Sequence, residues 1–140
     1  VIRKLNKDDI DQVTQIWLEV NTRTHNFIPE RYWTEQFNAV KEILPQSEVY
    51  VYEQGDEILG FVGLSDNYIA GIFVSTISQS KGIGRELLNY AKSIKTELSL
   101  SVYQKNERAI KFYQRESFII EAEKIDENTG EQEFLMLWER

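Results

Sequence analysis

Gln79-Ser80-Lys81-Gly82-Ile83-Gly84 is the stretch whose residue types and spacing are suited to chemistry. Its two glycines lie where an apolar strand pattern gives way to a helical one. A loop without Cβ atoms can turn its amides inward, and phosphate oxygens can then approach the main chain closely. A helix starting at that point adds unpaired N–H groups and the positive end of its dipole. Lys81 and Arg85 add charge beside it. The stretch is a candidate phosphate cradle. It lacks the G-x-x-x-x-G-K-[ST] of a Walker A loop, and a dinucleotide fingerprint would need a third glycine where this chain has Leu87.

Charge is distributed to match. Lys81 to Arg115 carries eight basic and three acidic residues, a net +5 in a chain of net charge −7. A local positive field around a phosphorylated ligand fits this asymmetry, and the overall acidity argues against nucleic acid as the main partner. The chain has no cysteine, which removes disulfides, thiolate nucleophiles and thiolate metal sites. Its one histidine, His25, cannot make a zinc site alone, so no metal is expected. No apolar run is long enough to cross a bilayer, so no membrane partner is expected. Val1-Ile2-Arg3-Lys4 leads straight into a polar helix, so no secretory leader is expected and the cytoplasm is the expected compartment.

These residues must be positioned by a scaffold of 140 residues, 41% apolar, which is the size of one domain spanning 1–140. Val1 to Asn6 reads as a strand. Asp8 or Asp9 can cap a helix with Ile10, Val13, Ile16, Trp17 and Val20 on one face, ending near Asn21. Thr22 to Ile28 is a loop, and Pro29 opens a second helix striped by Trp33, Phe37, Val40 and Leu44. The period then becomes two. Strands are expected at Glu48–Glu53, Glu57–Leu64 and Tyr68–Val74, with turns at Gln54-Gly55-Asp56 and Asp66-Asn67. Gly71 suggests a bulge or a close backbone approach. A helix from Gly82 to Ile94, a strand from Leu98 to Tyr103 and a helix from Glu107 to Glu116, capped by Asn106, follow. Phe118–Asp126 and Glu133–Trp138 are strands joined at Asn128-Thr129-Gly130. The order gives an α/β, or mixed α+β, sheet with helices on both faces.

Gln79 to Gly84 matches the Q/R-x-x-G-x-G/A motif of the GNAT N-acetyltransferase superfamily, and Asn106-Glu107-Arg108-Ala109-Ile110-Lys111-Phe112-Tyr113 matches its N-x-x-A-i-x-F-Y segment. Ile72-Phe73-Val74 stands where that family has its central strand, and Ser117-Phe118 replaces its G-F. The chain thus resembles the superfamily over nearly its whole length. Trp17 to Trp33, with His25, Phe27, Ile28 and Tyr32, further resembles a small bacterial subgroup of the YiaC and YjaB type.

The resemblance implies a three-layer fold whose central, mostly antiparallel sheet splays between the strand at Tyr68–Val74 and the strand at Leu98–Tyr103. It implies acetyl-coenzyme A as cofactor, its arm against the backbone of Ile72, Phe73 and Val74. The pyrophosphate would lie on Gln79, Ser80, Lys81, Gly82, Ile83 and Gly84, beside Arg85. Asn106 would contact the arm and Tyr113 would face the sulfur as the acid. The reaction implied is direct acetyl transfer to a primary amine, of a small molecule or of a protein lysine or N-terminus, with the Val74 amide holding the developing oxyanion. A lysine amine is neutral only about once in a few thousand at pH 7, so a base or a desolvating pocket is needed. Glu19, His25 and Asp66 are the candidate bases. His25, Phe27, Tyr32, Tyr68 and Tyr103 are the residues expected to line the acceptor site. The alternative is an acyl-coenzyme A binding or sensing module without catalysis. A monomer and a homodimer are both compatible with the sequence.

Overall fold

The computed structural model describes all 140 residues. The elements are β1 (Ile2–Lys4), α1 (Ile10–Thr24), α2 (Glu30–Ile43), β2 (Glu48–Gln54), β3 (Glu57–Ser65), β4 (Tyr68–Val74), α3 (Ile83–Ile94), β5 (Glu97–Tyr103), α4 (Glu107–Arg115), β6 (Ile119–Ile125) and β7 (Gln132–Glu139). The strands form one sheet in the order β1-β2-β3-β4-β5-β7-β6. Every pairing is antiparallel except β4 with β5.

Side-chain alternation divides the sheet into two faces. Val49, Val51, Ile58 and Phe61 pack under α1, where Val13, Ile16 and Val20 form the apolar stripe, and Leu44 and Val40 close the cluster from the α2 side. Val62, Leu64, Ile69, Leu98, Leu100, Val102 and Met136 face the other way. They pack against Ile83, Leu87, Leu88 and Ala91 of α3 and Tyr113 of α4. The expected mixed sheet with a helical layer on each face is the fold observed.

β4 and β5 hold the sheet open. They pair only at Tyr68↔Ser99 and Ile69↔Leu100. The Ser99 amide donates to the Asn67 carbonyl at 2.9 Å and ends the paired zone. Beyond Ile69 the strands diverge, while β3 follows β4 as far as Val74 and β7 follows β5 along its whole length. The expected splay is therefore present, and its open end lies toward the C-termini of both strands.

Local chemistry accounts for most boundaries and corrects several. Asp9 holds the N-cap position of α1, as expected, but its side chain makes no cap bond to that helix; with Asn6 it instead forms a capping box on the 3-10 turn Lys7–Asp9 that leads in. The Asn6 side chain accepts from the Asp8 amide at 3.0 Å, and Asp9 accepts from the Asn6 amide at 2.9 Å. Both carboxylate oxygens of Asp9 also accept from Arg3, at 2.8 and 2.9 Å, and this pairing holds its carboxyl below the usual range. α1 continues to Thr24, three residues past the expected end, and brings His25 to its C-terminus. The bulge expected at Gly71 is present: Gly63 pairs with Gly71 and Leu64 with Ile69, which leaves Ala70 of β4 as the extra residue. Gly71 is also crowded by the Phe73 ring, 2.3 Å from where a Cβ would sit.

Ser117, where the resemblance calls for glycine, has φ 75°. A left-handed serine costs about 1 kcal/mol. Ser117→Gly is expected to stabilise the protein by up to about 1 kcal/mol, read as a higher midpoint in urea at an unchanged slope.

Candidate functional site

The site begins with the peptide groups of β4. The Ser75 amide donates to the Leu59 carbonyl at 2.8 Å, so this peptide points toward β3. Peptide directions alternate along a strand, which turns Phe73 toward β3 as well. The close approach of its carbonyl oxygen, 2.7 Å from where a Cβ on Gly60 would lie, agrees. The peptides of Ile72 and Val74 then face the opening left by β5. Phe73, expected among the groups facing an arm, has its polar atoms committed to the ladder, and its ring stacks on Phe61 at 4.9 Å.

The loop after β4 is tied back to that opening. Gln79 Nε2 donates to the Val74 carbonyl at 3.0 Å. Thr76 bonds Glu19 of α1 through both its hydroxyl and its amide, the latter at 3.3 Å. Glu19, a candidate base, thus anchors the turn behind β4 through one carboxylate oxygen. Ser80 and Gly82 both have positive φ, 64° and 85°. No atom lies within 4 Å of the position a Gly82 Cβ would take, so the mouth of the loop is open. Gly84 is close to Val74 Cγ2 and Phe112 Cζ, at distances a Cβ would meet as ordinary contacts of 3.7 and 3.9 Å. Arg108 of α4 donates to Ser80 Oγ at 2.9 Å and adds a cation the sequence reading did not assign. Arg85 pairs with Glu116 at 3.4 Å and flanks the start of α3. Lys81 is exposed at the loop tip, and the Ile83 side chain is buried in the core while its amide lies at the helix start. These features fit a pyrophosphate: an open turn, a helix start behind it and cations on its rim.

Tyr113 projects from α4 into the core cluster that Ile72 and Val74 also touch. It is 9% exposed, and burial pushes its phenol above the usual tyrosine range. Its hydroxyl has no hydrogen bond to the protein, although it is not sealed from solvent.

The opposite face of the opening is aromatic and acidic. His25, Phe27, Trp33 and Tyr103 cluster there, the His25 ring lying 4.9 Å from Tyr103, 5.7 Å from Trp33 and 5.8 Å from Phe27. Tyr32 packs on Trp33 at 4.9 Å. Tyr103 pairs across the sheet with Glu133 and donates its hydroxyl to Asp126 at 2.7 Å. Burial raises the Tyr32 phenol, and the charges of Asp126 and Glu133 raise it further. Burial also raises the Glu133 carboxyl, against the pull of Lys124. Trp33 Nε1 and Ser101 Oγ are both buried on this face without a partner. Asp126, Glu133, Trp33 and Ser101 were not expected in the site. Only the β5–β7–β6 register places the two acids beside the aromatics, and no local pattern announces it.

His25 differs most from expectation. Its Nδ1 lies 2.9 Å from Asn21 Oδ1, and its Nε2 lies 3.3 Å from Asn106 Nδ2. Each asparagine is oriented by a backbone bond: Asn21 Nδ2 donates to the Trp17 carbonyl at 3.0 Å, and Asn106 Oδ1 accepts from the Ala109 amide at 3.2 Å. Nδ1 must then carry the proton, and Nε2 must accept from Asn106. Burial lowers the ring's pKa to about 4. With Nδ1–H donating and Nε2 accepting, neither ring nitrogen is free in this arrangement to take a proton from an amine. Tyr68 and Asp66 also fall outside the site. Both lie at the paired end of β4, and Tyr68 is roughly 20 Å of strand from Val74.

The pattern of the Acetyltransferase (GNAT) family matches residues 10–118, and the chain belongs to that family. It is 31% identical over 140 residues to the peptidyl-lysine N-acetyltransferase YiaC of Escherichia coli strain K12, covering 99% of this chain and 96% of that protein. The solution structure of apo-form YjaB from Escherichia coli superposes with a TM-score of 0.88 at 26% identity, covering 99% of this chain and 96% of that one. The PaiA N-acetyltransferase of Thermoplasma acidophilum, solved in complex with coenzyme A, shares the fold with a TM-score of 0.86 at 20% identity, over 100% and 98% of the two chains.

Proposed function

We propose that residues 1–140 form one acetyltransferase domain that passes the acetyl group of acetyl-coenzyme A to the side-chain amine of a lysine in a peptide or protein. The observation that carries this reading is the opening between β4 and β5, with an anion loop on one side and an aromatic, acidic wall on the other. The similarity to a peptidyl-lysine N-acetyltransferase at 31% identity supports the acceptor class.

In this reading the amides of Gln79 to Gly84, with Lys81, Arg85 and Arg108, hold the pyrophosphate. The Ile72 and Val74 peptides hold the arm. Bound acetyl-coenzyme A supplies an activated thioester. The Val74 N–H faces the carbonyl under attack and contributes roughly 3 kcal/mol as an oxyanion donor. Tyr113 donates its proton to the leaving sulfur. The same burial that raises the phenol also disfavours a thiolate there, so the transfer stays within reach. Phe27, Tyr32 and Tyr103 flank the aliphatic stem of the acceptor, and Asp126 and Glu133 attract its ammonium, which releases one proton to solvent before attack; the proton shed by the nitrogen as the amide forms returns through solvent to Tyr113.

The test is a thiol-release assay with acetyl-coenzyme A across lysine peptides, N-terminal peptides, free amino acids and polyamines. Lysine peptides are expected to give the highest kcat/KM. Their kcat/KM is expected to climb about tenfold per pH unit below the amine pKa, because only the neutral amine attacks. Equal or better turnover of small amines would remove the assigned acceptor class.

A further inference from the structure

The loop joining α1 to α2 carries the acceptor wall, and α4 carries the cofactor side. One side chain connects them. His25 closes α1, its amide donating to the Asn21 carbonyl at 2.9 Å, and its ring reaches across to the residue that caps α4. Asn21 and Asn106 each commit one side-chain atom to the backbone of the helix it belongs to or caps, and the other to the imidazole. The chain of bonds thus runs from Trp17 through Asn21, His25 and Asn106 to Ala109 with every donor matched to an acceptor. Asn21 is 3% exposed, so the lone acceptor for Nδ1–H is itself fixed. Phe27 sits two residues after His25 and shares the Tyr103 ring with it, at 5.6 Å. Whatever holds His25 therefore holds the aromatic wall as well.

We propose that His25 is a positioning residue. Held as its Nδ1–H tautomer between Asn21 and Asn106, it latches the α1–α2 loop to the start of α4 and sets the acceptor wall at a fixed distance from the cofactor side. The ring transfers no proton in the reaction. Its burial suits this role, since a charged ring would have to turn a second N–H toward an asparagine that already donates to it. The functional half of this inference rests on the acetyltransferase reading; the latch itself does not.

The chain's single histidine makes the latch directly readable. The 15N-labelled protein, without ligand, is expected to show one imidazole in the Nδ1–H form between pH 6 and pH 8, as its long-range 1H–15N couplings report. Asn106→Asp keeps the cap oxygen for the Ala109 amide but replaces the donor with an acceptor. Its histidine is expected to gain a proton at Nε2 while the protein stays folded. A wild-type spectrum in the Nε2–H form, or a variant spectrum identical to wild type, would overturn the latch whether or not the protein is an enzyme. In kinetics, His25→Ala is expected to raise KM for the lysine peptide about tenfold and to lower kcat much less. Its pH–rate profile should keep the same limbs. Asn21→Leu, which removes the acceptor but retains the volume, should do the same. A fall confined to kcat, with loss of the acidic limb, would make His25 a base and defeat the proposal.

Discussion

Tyr113→Phe will lower kcat by about 100-fold while leaving coenzyme A affinity within about twofold of wild type. The hydroxyl has no partner in the protein, so its removal orphans no buried group, and the ring keeps its contacts with Phe112 and Phe118. The fold should therefore be as stable as before, and the deficit should appear in turnover. The direction of the shift adds a pH signature. Burial raises the phenol, so wild-type Tyr113 remains protonated through the ordinary tyrosine range. No alkaline loss of activity is expected from it below about pH 10. Steady-state thiol release and calorimetry with coenzyme A check both halves. Turnover unchanged in the phenylalanine variant would show that sulfur leaves without help from this group.

Val74→Pro will lower kcat by roughly 10²–10³-fold and leave the protein folded. Proline removes one N–H, and its cost depends on where that N–H points. At Val74 it faces the opening beyond the end of the β4–β5 pairing, so no ladder bond is lost. At Phe73 the same substitution would strike the bonds to β3, and that variant serves as the contrast. Thermal denaturation should separate the two, with Phe73→Pro the less stable by several degrees. If Val74→Pro turns over at the wild-type rate, the oxyanion donor lies elsewhere. If both variants melt alike, the alternation of β4 is not as the Ser75–Leu59 bond implies.

The sequence carried much of this because its strongest signals are local. Glycine spacing specifies a turn with positive φ, and Gly82 takes it at 85°. The apolar strand Tyr68–Val74 and the stripe of α3 read directly as core. Asn106 is a cap because its short side chain can reach the third amide ahead, which it does. What went astray needed information from distant parts of the chain. Tyr68 is aromatic and half-exposed, as a pocket residue would be, but the register with Ser99 puts it at the closed end. The bulge at Gly71, by contrast, was legible locally, and β4 carries Ala70 as the extra residue beside it.

The glycine turn before α3, the order of the elements and the family were determined by the sequence alone, because each rests on short-range periodicity or on a contiguous motif. Only the tertiary structure decided how the candidates share the work. It turned the Val74 amide into the opening and the Phe73 amide away from it, since strand direction is fixed by the partner strand. It brought Asp126 and Glu133 to Tyr103 through the β6–β7 hairpin. It also filled both ring nitrogens of His25, one from the helix before it and one from a residue 81 positions away. No spacing rule within α1 could have shown that second bond, because it depends on where α4 begins once the sheet has formed.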